Sequence, residues 1–364
     1  MSKRGENIYK RKDGLWEARY VKGIDMYGKK KYASVYAHSY REVKAKRQDA
    51  INNMILYQKP KVSSSLTVSE LVEEWLCINK NRIKTSTYQR YCGFFKNHIK
   101  DIIGHLKVVY FTPVVIHEFA VNRANAKLSL QSVNAILIFL HSCLKYGHRQ
   151  YNLPLPEIQY FTCYPKEMRV FSQEEQEQIV SFLKQDMDIY KFGIMIALYT
   201  GLRVGELCAL KWEDVEKDCI KVRHTMIRLK KENGLGTEIV IGSPKTKKSQ
   251  RIIPLPSPLI DLVKQFQEDN HNQTFILGTP ALPMIEPRVM QYKFQKYLQE
   301  LGIEGATFHT LRHTFATRCV ECNFEIKALS EILGHTNVQT TLNRYVHSSL
   351  HQKRIHMEKL SSLM

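Results

Sequence analysis

Residues 309–317 read HTLRHTFAT, and the fold of the C-terminal half turns on how that stretch is placed. As a helix it sets His309 and Arg312 at i and i+3, side by side on one surface. Leu311, Phe315, Cys319 and Cys322 fall on a different face at core spacing. The helix can therefore anchor itself by that face and present His309 and Arg312 at its edge. Helical patterning runs from Pro287 onward, with breaks at Gly302 and Gly334. Upstream, strand patterns occupy Cys219–Leu229, Glu238–Ile241 and Arg251–Leu255, parted by Asn233–Gly236 and by PKTKKS. Earlier still, Ser172 and Glu175 have capping-box spacing, with Ile179, Val180 and Leu183 as the buried face. The apolar helix that follows reaches Thr200 and stops at Gly201, a suitable C-cap. Trp212, in LKWEDV, reads as a core residue. A mixed α/β domain over residues 170–364 accounts for all of this.

Working toward the N-terminus, Gly147–Arg169 holds Pro154, Pro156 and Pro165 and reads as an irregular connector. Before it lies a helical segment over residues 66–150. Thr67 and Glu70 form a capping-box pair ahead of Leu71, Val72, Trp75 and Leu76. A second helix starts in KTSTYQRYCGFFKNHI (84–99), and a long one covers Ser129–Tyr146 with Val133, Leu137, Leu140 and Leu144 as its stripe. Lys84, Thr85, Thr87 and Tyr88 stand at a helix start, where hydroxyls and free N–H groups suit phosphate; ordinary N-capping explains the same hydroxyls. Lys59–Ser65 (KPKVSSS) reads as a linker. Residues 7–36 alternate polar with aromatic or β-branched side chains and turn at Asp13–Gly14 and Tyr27–Gly28. A helix from about Tyr40 to Tyr57 completes a three-stranded sheet backed by one helix over residues 1–60. Its bases, Lys29, Lys30 and Lys31 among them, are interleaved with Tyr9, Trp16, Tyr20 and Tyr32. That arrangement suits a groove-reading sheet, and some of the aromatics serve as its mini-core.

The expected fold class is thus multidomain and mainly α with a small β component. The length of 364 residues agrees, since domains average about 150. Lys and Arg number 54 against 35 Asp and Glu, a net +19. Residues 1–60 carry +9, residues 61–169 carry +7, and residues 170–364 only +3. Basic charge gathered in the first half suits a polyanion, because neutralised phosphates release counterions. The opening MSKRGENIYK lacks the apolar run of a secretory signal, and apolar runs such as Phe192–Tyr199 fall far short of the ~20 residues that span a bilayer. No basic amphipathic helix with a bulky apolar face argues for a membrane surface. Eight Cys without a regular framework fit reduced thiols in a cytoplasm.

Six groups scattered through the third domain carry the chemistry: Arg203 in TGLRVGEL, Lys245 in SPKTKKSQRIIPL, His309 and Arg312, His335 in LGHTN, and Tyr345 in LNRYVH. Two arginines can fork onto the two non-bridging oxygens of one phosphodiester, a clamp that stabilises charge in phosphoryl transfer. A tyrosine, with pKa about 10, attacks poorly at neutral pH unless cations or a base help it lose its proton. His309, His313 and His335 could be read as zinc ligands, but no HExxH pattern is present and Arg312 would repel the metal. Cys319 and Cys322 form a CxxC without a second pair and read as core cysteines.

Taken together, these motifs resemble the catalytic domain of the tyrosine recombinases, the phage and transposon integrase family. The match is in type and order: GLRxxEL at 201–207, a turn lysine, HxLRHTFAT at 309–317, LGH at 333–335, and a tyrosine ten residues beyond His335. The resemblance implies that Tyr345 attacks the scissile phosphate to give a 3′-phosphotyrosyl link. It implies further that Arg203 and Arg312 clamp the non-bridging oxygens and His335 donates to one of them. Lys245 would protonate the departing 5′-oxygen, with Lys247 and Lys248 as competing donors, and His309 would act as base or orienter for the tyrosine. Glu206 would orient the arginine helix. No metal, cofactor or ATP is implied, because the ester retains the bond energy. The first two segments resemble the family's arm-type (1–60) and SAM-like core-type (66–150) DNA-binding domains. Implied partners are double-stranded DNA, three further copies of the chain in a tetramer, and by extension an excisionase and a host DNA-bending protein. Implied location is the bacterial cytoplasm, on the nucleoid when bound to DNA. His351–Met364, after Tyr345, would form a tail helix that packs on a neighbouring copy. A type IB topoisomerase and a catalytically silent DNA-binding regulator are the rival readings, and the separate DNA-binding segments and the complete set of six groups weigh against them.

Overall fold

Alternation in the N-terminal stretch produces three antiparallel strands, β1 (Ile8–Lys10), β2 (Trp16–Ile24) and β3 (Lys30–Ala37), in the order β1-β2-β3. The structure, a computed structural model, describes residues 7–24, 30–57, 65–164, 168–231, 235–242, 249–270, 272–345 and Met357. Ala18 sits between Ile8 and Val35 in register, and Trp16 opposite Ala37. The period of two puts Ile8, Ala18 and Ala37 on one face, where they cluster with Val43 of helix α1 (Tyr40–Tyr57). Trp16 meets Tyr40 edge to face at 5.2 Å. The other face carries Tyr9, Glu17, Arg19, Ser34 and Tyr36, with Arg19 over the Tyr9 ring at 5.5 Å and Arg11 over Tyr36 at 5.4 Å. The aromatics thus divide: Trp16 packs toward the helix, whereas Tyr32 and Tyr36 are exposed. Lys29 lies outside the described residues, and Lys30 and Lys31 open β3.

The helical segment runs through α2 (Val68–Asn79), α3 (Thr85–Phe94), a π turn (Phe95–Ile99), α4 (Lys100–Ile103), a 3-10 turn (Val108–Tyr110), α5 (Pro113–Asn125) and α6 (Leu130–Tyr151). The Thr67–Glu70 capping box is present, with the Thr67 amide donating to the Glu70 carboxylate at 2.8 Å. Val133, Leu137, Leu140 and Leu144 are all buried. The connector begins later than the sequence suggests. Gly147 does not stop α6: it lies against Leu71 and Leu153, so close that a Cβ there would meet Leu71 at 3.0 Å. The helix runs on to Tyr151, whose hydroxyl donates to Glu74 at 2.6 Å beside that of Tyr146. It ends at Asn152 in the left-handed conformation, φ +54°. At the start of α3, Lys84 and Thr85 are exposed while Thr87 and Tyr88 are half-buried, Tyr88 against the core. Of the expected linker, only Ser65 is among the described residues.

The C-terminal segment starts with α7 (Gln173–Lys184), capped by the Ser172–Glu175 box, and continues through α8 (Ile189–Thr200) and α9 (Val204–Cys208). Strands β4 (Cys219–Val222), β5 (Thr225–Lys230), β6 (Thr237–Gly242) and β7 (Arg251–Pro254) follow. They make two separate antiparallel pairs, β4 with β7 and β5 with β6. The strand expected over Cys219–Leu229 is therefore two strands. Val222 pairs with Arg251 but Thr225 pairs with Gly242, so the chain changes ladders at Arg223–His224. Helices α10 (Ser257–Asp269), α11 (Pro287–Glu300), α12 (Phe308–Glu321), α13 (Ile326–Leu333) and α14 (Gln339–Tyr345) complete the segment. Gly302 and Gly334 break it as expected, both at positive φ. Trp212 is in the core. Cys319 is buried but Cys322 is exposed at the end of α12, so the apolar stripe stops one turn earlier than the sequence implies. The turn holding Lys245, Lys247 and Lys248 and the tail expected over His351–Met364, save Met357, lie outside the described residues.

By contacts the chain divides into two compact units, residues 1–164 and 165–364, each with its own apolar interior. Among the described residues no helix is long and apolar enough to cross a membrane.

Candidate active site

Helix α8 must end at Gly201 because the chain turns there with φ +65°, against the Phe315 ring. A Cβ at Gly201 would stand 2.6 Å from Phe315. The turn sends Leu202 into the core and leaves Arg203 at the start of α9. Glu206, one helical turn on and 3 % exposed, accepts from the Arg203 amide at 3.1 Å and from its guanidinium at 2.7 Å. It also accepts from Arg251 of β7 at 2.8 Å. Burial works against ionisation of Glu206, but the Arg251 and Arg203 guanidiniums hold its carboxyl below the usual range. Arg251 donates as well to the carbonyls of Ser249 and of Ile332 at the end of α13. One carboxylate and one guanidinium therefore tie the Arg203 turn, the β7 strand and the LGH turn together.

Arg312 departs from its expected position at the helix edge. It is only 2 % exposed, held because its guanidinium donates to the carbonyls of Gly201 at 2.8 Å and Leu333 at 2.6 Å. A third contact, 3.1 Å, reaches Nε2 of His335. His335 in turn bonds through Nδ1 to the buried hydroxyl of Thr341 at 2.8 Å. Burial, followed by repulsion from Arg203, pushes the Arg312 guanidinium down to about 9, still fully charged at neutral pH. Burial and the neighbouring Arg312 push His335 down to about 4, so its ring is neutral.

Tyr345 ends α14 and is buried, its ring among Ala316, Cys319, Leu329 and Leu333. Its hydroxyl lies 2.8 Å from Nδ1 of His313. Burial raises the phenol's pKa while Arg312 and Arg344 pull it the other way, and burial wins. His313 is pushed down to about 4 by burial and by His309 and Arg344. His309, exposed at the start of α12, meets the His313 ring edge to face at 4.5 Å.

Five of the six expected groups, Arg203, His309, Arg312, His335 and Tyr345, thus belong to one linked cluster, and Lys245 is outside the described residues. The sequence reading missed His313, Arg251 and Thr341. His313 is visible one turn past His309, but its spacing alone offers it only as a metal ligand. Nothing in the sequence pairs Arg251 with Glu206. Chemically the cluster offers guanidiniums and neutral imidazoles around a neutral phenol, a setting for a phosphate and an oxygen nucleophile. Among the described residues no group of three His, Cys, Asp or Glu is arranged to hold a metal.

Comparison with known proteins agrees with that chemistry. The profile of the phage integrase family matches residues 169–352, and that of the phage integrase N-terminal SAM-like domain matches residues 67–123. A tyrosine recombinase XerC-like protein of Caldanaerobacter subterraneus is 28% identical, the match covering 94% of this chain and 94% of the relative. The ICEBs1 integrase of Bacillus subtilis is 24% identical over 84% of this chain and 86% of its own length. A solved structure of the Tn1549 transposon integrase with a circular intermediate DNA shares the fold, with TM-score 0.71 and 21% identity over 81% of this chain and 100% of that one. A lambda integrase tetramer bound to a Holliday junction also shares it, with TM-score 0.60 and 16% identity over 96% and 99% of the two chains. A site of guanidiniums and imidazoles around a buried tyrosine, on a chain matched by both profiles, leads to one assignment: this chain is a tyrosine recombinase that belongs to the phage integrase family.

Proposed function

We propose that this integrase cuts and rejoins DNA with Tyr345 as the nucleophile, forming a 3′-phosphotyrosyl link. Arg203 and Arg312 bind the non-bridging oxygens of the scissile phosphate, His335 donates to one of them, and Lys245 protonates the leaving 5′-oxygen. His309 stands beside the tyrosine's partner as an orienter. The observation that carries this reading is the buried Arg312, whose hydrogen bonds join the Gly201, Leu333 and His335 motifs at one point, with Tyr345 packed on the same helix. The bond energy stays in the tyrosyl ester, so strand exchange needs no nucleotide fuel.

The same reading gives residues 1–60 to arm-type DNA, residues 66–150 to core-type DNA and residues 170–364 to catalysis. In its support, the sheet face opposite α1 carries Arg19, Tyr9 and Tyr36 toward solvent, and Lys84 and Thr85 are exposed at the α3 start. Lys29, Lys30, Lys31, Thr87 and Tyr88 join them as DNA contacts. Relatives named as a transposase of Tn916 and as an integrase of ICEBs1 suggest a mobile element as the DNA that is moved. Four copies act on two sites, with an excisionase and a host bending protein as directional aids, in the bacterial cytoplasm.

The test is a nicked suicide duplex carrying an element end. Wild-type protein should trap a covalent band, Tyr345→Phe none, and Arg312→Ala a small fraction. A full band from Tyr345→Phe would overturn the assignment.

A further inference from the structure

The hydrogen bond between Tyr345 and His313 has no place in the roles given above, which set the phenol beside His309. We propose that His313 is the catalytic proton acceptor for Tyr345, its Nδ1 taking the phenolic proton as the tyrosine attacks and returning it when the link is resolved. The proposal rests on the reading of Tyr345 as the nucleophile.

Geometry carries it. The two groups are already at hydrogen-bond distance, 2.8 Å, the reach a general base requires. Both are fixed from behind. The Tyr345 ring is clamped by Ala316, Cys319, Leu329 and Leu333, so its hydroxyl can explore little space. The His313 ring is braced edge to face by His309 at 4.5 Å and grows from α12, the helix that also carries Arg312. A buried phenol needs a partner for its hydroxyl, and His313 supplies one.

Electrostatics agree with an acceptor that is idle at rest. The groups facing His313 are His309 and Arg312 on its own helix and Arg344 on α14, and with burial they keep its ring neutral. A neutral ring has a lone pair free on one nitrogen. Tyr345 also stays neutral, so no phenolate forms before DNA arrives. A bound phosphodiester brings negative charge beside these cations and makes a protonated His313 easier to form.

The step balances. The Oη–H bond of Tyr345 breaks and its proton passes to Nδ1 while the Oη–P bond forms. The P–O5′ bond breaks, and the 5′-oxygen takes a separate proton from the general acid, read above as Lys245. In rejoining, the O–H bond of a 5′-hydroxyl breaks and its proton returns to the group that served as acid, while its oxygen attacks phosphorus, the P–Oη bond breaks, and the imidazolium returns its proton to the tyrosine oxygen.

The experiment measures single-turnover formation of the covalent band by the full-length protein on a nicked suicide duplex. His313→Asn keeps an acceptor atom near the place of Nδ1 but cannot take a proton, and it should slow the band by about 100-fold or more. Fluorinated tyrosine at position 345, which ionises more readily, should restore about tenfold in His313→Asn, and much less in His309→Ala. A His313→Asn rate within about threefold of wild type, or a loss that fluorotyrosine leaves unrelieved, overturns the proposal. A band from Tyr345→Phe would instead sink the nucleophile assignment beneath it.

Discussion

Nη2 of Arg312 stands 3.1 Å from Nε2 of His335, and that single contact fixes the state of the imidazole. A guanidinium can only donate, so Nε2 is the acceptor and carries no proton. The proton is on Nδ1, which donates to Thr341 at 2.8 Å. Without DNA, His335 therefore has nothing on Nε2 to offer a phosphate oxygen. To serve as a donor there it must gain a proton, and a phosphate entering between the two side chains favours that gain.

Binding of core DNA at pH 7 should accordingly take up protons. Calorimetry of Tyr345→Phe protein in buffers of different ionisation enthalpy should show an uptake that falls by about one proton when His335→Gln is added. Equal slopes for the two proteins would contradict it.

Stability should fall on mild acidification. His313 and His335 are held down to about 4 in the folded chain against 6.5 as free groups. Between those values the unfolded chain binds more protons than the folded one, so stability rises with pH across that window and levels off above it. Melting temperature should drop as pH is lowered from 6.5 toward 4, and the drop should be shallower in the His313→Gln/His335→Gln double variant.

Arg251→Met should cost about 3–5 kcal/mol, because it leaves the buried Glu206 carboxylate with its Arg203 contacts alone. Urea unfolding measures it. A loss under about 1 kcal/mol would mean that water replaces the guanidinium.

Two left-handed glycines make a matched pair. Gly302 has φ +68° and open space around its Cβ position, whereas Gly201 has φ +65° and the Phe315 ring 2.6 Å away. Gly302→Ala should cost about 1–2 kcal/mol from backbone strain alone. Gly201→Ala carries the clash in addition, and it also moves the carbonyl that receives Arg312, so both its melting temperature and its cleavage rate should fall further.

Local chemistry was the part of this fold that could be read in one dimension. The Thr67–Glu70 and Ser172–Glu175 boxes and the stops at Gly201, Gly302 and Gly334 need only near neighbours, and all are present. Gly147 looked like another stop because a sequence does not show that Leu71 crowds the helix there. Likewise, i and i+3 spacing put His309 beside Arg312 but gave no sign that distant carbonyls would draw the arginine inward. The six groups proposed for the reaction stand in the sequence as ordered motifs, and the five that are described lie in one cluster. The pairing of His313 with Tyr345 is not legible there, since it depends on how α12 and α14 lie together in space.

Arg312 receives its partners from 111 residues upstream and 21 residues downstream. During synthesis the upstream carbonyl emerges first, Arg312 well after it, and the Leu333 carbonyl and Tyr345 later still. A chain lacking α13 and α14 would have no Leu333 carbonyl, His335 or Tyr345 to set against Arg312 and His313, so the pocket closes only once residues far apart in the sequence are all in place.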